Sequence, residues 1–182
     1  MDITRLQGGL AHLSGSSFEQ QLFHMFMKSD RYSIVSKDVV SSTSNNLKQL
    51  VLKPLNNNQQ HIHVKTQHKF KDCYDNDSRM DFVLDLNNGK RIFIECKYQQ
   101  SAGSVSSKIP YSCALLNHLC VNDDKVVYLS GGEIFNTKRV QNIMRHMHIN
   151  FPDIKFIHID NNSDYDVLFE YINEVITFKT DA

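Results

Sequence analysis

Between Arg79 and Gln99 apolar and polar residues alternate through two short runs, which predicts two β-strands joined by a tight turn. In the first run Met80, Phe82, Leu84 and Leu86 share a face; in the second Ile92, Ile94, Cys96 and Tyr98 do. The opposite faces carry Arg79, Asp81, Val83 and Asp85, and Arg91, Phe93, Glu95, Lys97 and Gln99. A two-residue turn at Asn88-Gly89 would set Asp81 opposite Cys96 and mix the faces. A three-residue loop, Asn87-Asn88-Gly89 with the glycine left-handed, sets Asp81 opposite Glu95 and Arg79 opposite Lys97, and the faces agree. Opposed Cβ atoms lie roughly 4.5–5.5 Å apart. Two carboxylates that close repel unless a cation lies between them.

Elsewhere the period changes. From about Ser14 to Met27, Phe18, Leu22, Met25 and Phe26 recur at helical intervals, and Ser16 and Glu19 have capping-box spacing. A strand is expected near Tyr32 to Val40. Ser41 to Gln60 is rich in Asn and Ser and reads as a polar insertion, a long loop with at most one short element. His61 to Phe70 alternates as a further strand. A helix from about Ser107 to Cys120 has Ile109, Cys113, Leu116 and Cys120 as its stripe, with Pro110 in its first turn. Lys125–Ser130 and Ile154–Ile159 read as strands. Helices capped by Thr137 and Asp164 follow them, reaching about His148 and Phe178. Early hairpin strands imply antiparallel pairing, and late strand–helix alternation implies parallel pairing. The expected fold is α/β, a mixed central sheet with helices on both faces.

Composition narrows this. The 182 residues suit one domain with a real core, taken as 1–182 with the insertion near 41–60. No apolar run approaches the length of a membrane span, and the N-terminus lacks a signal-peptide layout. Cys73, Cys96, Cys113 and Cys120 form no CxxC pair or zinc spacing, which fits reduced thiols in a cytoplasmic protein. The formal net charge of +0 counts mildly against a nucleic-acid binder without excluding one, since metal-binding carboxylates enter the sum and basic residues could still gather on one face.

Asp81, the Glu95-Cys96-Lys97 triplet and a preceding helix that carries Glu19 together resemble the PD-(D/E)XK nuclease superfamily, the restriction-endonuclease-like fold. The motif here is Met80-Asp81, thirteen intervening residues, then Glu95-x-Lys97, with methionine where the family usually has proline. The similarity continues into Tyr98-Gln99-Gln100-Ser101 and Lys108-Ile109-Pro110-Tyr111, and spans Ser14 to roughly Leu129. It implies a Mg²⁺-dependent DNA endonuclease, with Mn²⁺ able to substitute, that leaves a 5′-phosphate. Asp81 and Glu95 would be direct metal ligands with the Cys96 backbone carbonyl as a third. Mg²⁺ prefers oxygen donors and keeps several waters. Lys97 would orient or deprotonate the attacking water and stabilise developing charge. The resemblance also implies that Glu19 binds metal directly or through water.

Each residue has a plainer reading. Asp81 and Glu95 could form a solvated face paired with Arg79 and Lys97. Glu19 could serve only the helix cap. Gln99 shares the Lys97 face and could line the site or be a polar edge. Ser104 and Lys108, at the entry to a helix, could contact phosphate, as could a stripe including Lys65 and Lys69. The His61/His63 pair reads as an exposed face. No Ser/His/Asp arrangement stands out. The functional readings are a restriction or defence nuclease, a structure-selective nuclease for branched DNA, or a non-catalytic DNA-binding or partner subunit of the same fold. Cutting both strands would need a homodimer, a partner subunit or sequential nicks.

Overall fold

The computed structural model describes residues 15–42, 45–56, 60–100, 105–121 and 123–177. The chain runs α1 (Gly15–Lys28), β1 (Tyr32–Ser42), β2 (Asn45–Pro54), β3 (Ile62–Lys71), β4 (Asp77–Leu86), β5 (Arg91–Tyr98), α2 (Val105–Asn117), β6 (Lys125–Gly131), α3 (Lys138–Asn150), β7 (Ile154–Ile159) and α4 (Tyr165–Thr177). The strands form one seven-stranded sheet in sequential order. β1 to β5 pair antiparallel, and β5, β6 and β7 pair parallel. This is the mixed α/β sheet that the strand and helix order requires.

Two cores sandwich the sheet. On one face Phe18, Leu22 and Phe26 of α1 and Tyr165, Phe169 and Ile172 of α4 pack on Phe82, Leu84, Ile92, Ile94 and Leu129. On the other, Ile109 and Cys113 of α2 and Val140 and Met147 of α3 pack on Val83, Phe93, Val126 and Tyr128. Asp124, buried just ahead of β6, accepts from the Arg91 backbone N–H at 2.8 Å and from its guanidinium at 3.0 and 2.6 Å, pinning the start of β5.

Four expectations change. The polar stretch 41–60 is mostly strand. β2 inserts between β1 and β3, with Leu50 and Leu52 buried. Those two leucines carry the alternation, and the surrounding Asn and Ser mask it. Val83 and Phe93 are core residues, because helices cover both sheet faces. Met80 leaves the Phe82–Leu84 face and packs in the second core. The strand turns at the residue between them, where Gln67, opposite Asp81 on β3, adopts a left-handed φ of 51°. Finally, α2 begins at Val105, so Pro110 falls in its second turn rather than its first.

The ends of α1, α3 and α4 differ in detail. α1 starts at Gly15, ahead of Ser16, and Glu19 bonds a distant partner. Thr137 holds the N-cap position of α3 without a side-chain cap bond. Asn161 and Asp164 form a capping box for a short 3-10 turn, 162–164, that leads into α4.

Candidate active site

The β4–β5 hairpin sets the geometry. Gly89 has φ 81° and donates to Leu86 O at 3.0 Å, and Leu86 N–H donates to Lys90 O at 2.9 Å, as a three-residue loop with a left-handed glycine requires. Phe82 pairs with Ile94, Val83 with Phe93, Leu84 with Ile92 and Asp85 with Arg91. This register, continued, would oppose Asp81 to Glu95. The backbone ladder stops first. Asp81 Oδ2 instead accepts the Cys96 backbone N–H at 2.7 Å, so a carboxylate takes the place of a strand carbonyl and the hairpin opens around it. Arg79 pairs with Lys69 on β3, and no Arg79–Lys97 pair forms in the ladder.

Four further side chains gather near Asp81 at this opening. Lys97 donates to Glu95 Oε1 in an ion pair. From α1, Glu19 arrives through Gln67, whose amide nitrogen lies 2.9 Å from Glu19 Oε2 and 3.3 Å from Asp81 Oδ1. The aromatic ring of Phe18, next to Glu19, lies 5.4 Å from that of Tyr98, next to Lys97, which ties α1 to the end of β5. Asp81, Glu95, Lys97 and Glu19 therefore share one half-buried site, and no sheet layer separates them.

Burial and mutual repulsion tune these groups. Burial, then the nearby Asp81 charge, pushes Glu95 up to about 7, against the partial relief that Lys97 gives. Burial also raises Asp81, opposed by the Cys96 N–H, Lys97 and Gln67. Glu19 is raised by burial and by Asp81, opposed by Gln67 and Lys97. Burial pulls Lys97 down, but Glu95 and Asp81 outweigh it and its pKa is raised. The lysine is therefore an ammonium at neutral pH.

The donor set is oxygen throughout: three carboxylates and the Cys96 carbonyl. That chemistry fits a hard divalent cation. Among the described residues no three His, Cys, Asp or Glu side chains already converge as a ligand cluster. Lys97 holds Glu95, while a single amide N–H₂ group bridges Glu19 and Asp81. Both are positive ends of dipoles or charges set against the acids, and they stand where a cation would act. The residues present thus fit the group.

The outlying expectations separate from this centre. Lys65 is partly exposed and pairs with Asp85 at 2.5 Å. Lys69 on β3 and Lys108 on α2 are exposed. Ser104 lies outside the described residues. The Gln99 N–H donates to Gly131 O at 3.1 Å, fixing the chain just past Lys97. His63 is exposed and His61 half-buried.

Sequence reasoning missed two features. Gln67 belongs to no motif, and only the strand pairing that sets it opposite Asp81 could have found it. Ser130, His158 and Asp160 form a chain, Ser130 Oγ to His158 Nδ1 at 3.0 Å and His158 Nε2 to Asp160 at 3.0 Å. His158 and Asp160 are two residues apart, but Ser130 is distant in sequence, and only the parallel β6–β7 pairing of Ser130 with His158 brings it to them. Ser130 is 1% exposed and also bonds Ile157 O, so the chain orients a histidine rather than presenting a nucleophile.

A mixed sheet whose opened hairpin gathers Asp, Glu-x-Lys and a helix-borne Glu defines a class, the restriction-endonuclease-like α/β domains. The chain belongs to the PD-(D/E)XK nuclease superfamily, whose domain model matches residues 10–161. A solved structure of EndoMS in apo form is similar at a TM-score of 0.31 and 5% identity, over 82% of this chain and 48% of that one. The chain thus spans about half the length of that protein. No curated protein matches this sequence.

Proposed function

We propose that the chain is a Mg²⁺-dependent endonuclease that hydrolyses DNA phosphodiester bonds, acting in the cytoplasm in restriction or defence. The observation that carries this reading is the meeting of Asp81, Glu95, Lys97 and Glu19 where the hairpin opens. A domain without chemistry gains nothing from three half-buried carboxylates whose charges oppose one another. Asp81 and Glu95, with the Cys96 carbonyl and Glu19, would hold Mg²⁺, with Mn²⁺ as a substitute. The ion supplies charge neutralisation at phosphorus and acidifies the attacking water.

The chain's own groups do the rest. Asp81 is locked by the Cys96 N–H, so its second oxygen has a fixed direction. Lys97 acts as an ammonium: it donates to the attacking water and to the phosphoryl oxygens as negative charge grows there. Gln99, which follows on the same strand end, would line the site. The exposed Lys69 and Lys108 are the candidates for contact with the DNA backbone. Branched DNA is the alternative substrate, and a catalytically silent partner subunit is the alternative role.

Supercoiled plasmid with Mg²⁺ tests this. Wild type should yield nicked or linear DNA, and Lys97→Ala should lose at least about 100-fold in rate, the scale of one charge-stabilising donor. Binding of DNA with no cleavage in Mg²⁺ or Mn²⁺ would favour the silent subunit. Cleavage confined to junctions would favour the branched-DNA enzyme.

A further inference from the structure

We propose that Gln67 is a fifth member of the cation site: its side-chain amide lies between Glu19 and Asp81, and its carbonyl oxygen would serve a bound ion as a further donor. This rests on the cation-dependent reading above. Three observations carry it.

The first is position. One amide nitrogen reaches two acids from different elements, 2.9 Å to Glu19 on α1 and 3.3 Å to Asp81 on β4. Ionised carboxylates only accept hydrogen bonds, so the N–H₂ end must face them. A divalent ion between the same oxygens reverses that demand and calls for the oxygen end.

The second is strain. Gln67 has φ 51° in the interior of a strand, which is costly for a non-glycine residue and is kept only where the surroundings enforce it. They do so from both sides. Thr66 Oγ1 bonds both the N–H and the C=O of Lys48, at 2.9 and 3.4 Å, beyond the last β2–β3 ladder pair at Gln49 and Lys65. His68 on the other side is in register with Met80. The strand is thus anchored on each side of a single residue turned out of line, and that turn sends its amide to the acids.

The third is room. A cavity of about 130 Å³ opens beside the amide, lined by Glu19, Lys48, Thr66, Gln67 and Phe82 among others. An amide can turn over there without displacing the core.

The test is Mn²⁺ and Mg²⁺ binding by calorimetry, with melting curves in EDTA and in saturating metal. The proteins are wild type, Asp81→Ala, Gln67→Ala, Gln67→Asn and Gln67→Glu. Gln67→Ala should weaken metal binding at least about 10-fold, the usual effect of removing a residue that supports a metal's ligands. Gln67→Asn tolerates the left-handed backbone but is one methylene short, so it should fold and still bind weakly. Gln67→Glu keeps an oxygen donor and loses the bridge. It should melt lower than wild type in EDTA, yet bind metal at least as tightly and gain more on saturation. A merely structural glutamine predicts lower melting for Ala and Glu alike, with the metal Kd unchanged. Unchanged Kd values in Gln67→Ala and Gln67→Asn, with Asp81→Ala abolishing binding, would overturn this inference alone. No metal binding by wild type would overturn both it and the reading beneath it.

Discussion

Glu95 shows how one residue couples the site to stability. Its pKa in the fold is about 7, above its ordinary 4.5. Between those values the folded protein holds a proton that the unfolded chain has released, so raising the pH through this window removes stability. Glu95→Gln has no such proton to lose. In EDTA, denaturant unfolding at pH 5 and pH 8 should show wild type losing ground to Glu95→Gln as the pH rises. Parallel losses in the two proteins would mean that Glu95 ionises freely. Metal binding should reverse the trend in wild type alone, since a cation favours the ionised acids that burial disfavours.

At the scale of elements, the hairpin and its neighbours explain what was legible in the chain. Period-two alternation and the Asn-Asn-Gly loop sufficed for the β4–β5 register, because a slip of one residue would have moved Ile92, Ile94 and Cys96 off the core. The α1 stripe of Phe18, Leu22 and Phe26 was equally readable, and with it the side of the helix near Glu19. β2 was not readable, since only Leu50 and Leu52 mark its buried face amid polar residues. Met80 and Gln67 were misplaced or missed for one reason. Both depend on a local backbone turn at Asp81 that β3 and β4 create together, and no single segment encodes it.

Gly132 is a close-approach point just after β6. It sits at φ 98° and ψ 157°, a region open essentially to glycine, and a Cβ there would lie 2.4 Å from Gln99 O. Gly132→Ala should therefore cost about 3 kcal/mol and lower Tm by roughly 6–12 °C. It should also slow cleavage, because the displaced backbone, at Gln99, lies two residues past Lys97. An unchanged Tm would show that this contact relaxes without cost.

On the scale of the whole molecule, two packed cores hold a sheet that opens at the end of the β4–β5 hairpin. Its antiparallel half supplies Asp81 and Gln67, its parallel half begins with the strand bearing Glu95 and Lys97, and α1 closes the site from one face. Folding brings these acids together against their repulsion, so a ligand that cancels the repulsion should stabilise the entire fold. Mg²⁺ at about 100 times its Kd contributes about 2.7 kcal/mol, or roughly 5–10 °C in Tm for a chain of this size. Thermal melts with and without Mg²⁺ check this, and Asp81→Ala should show no such rise. A rise of equal size in that variant would place the ion elsewhere.

We propose that Asp81, Glu95 and Lys97 form one cation-dependent centre for phosphodiester hydrolysis. The most direct test is the cleavage of DNA in Mg²⁺ by folded Asp81→Ala beside wild type. Products with 5′-phosphate ends from wild type, and none from the variant over the same time, are the predicted result. Full activity in Asp81→Ala would contradict the account.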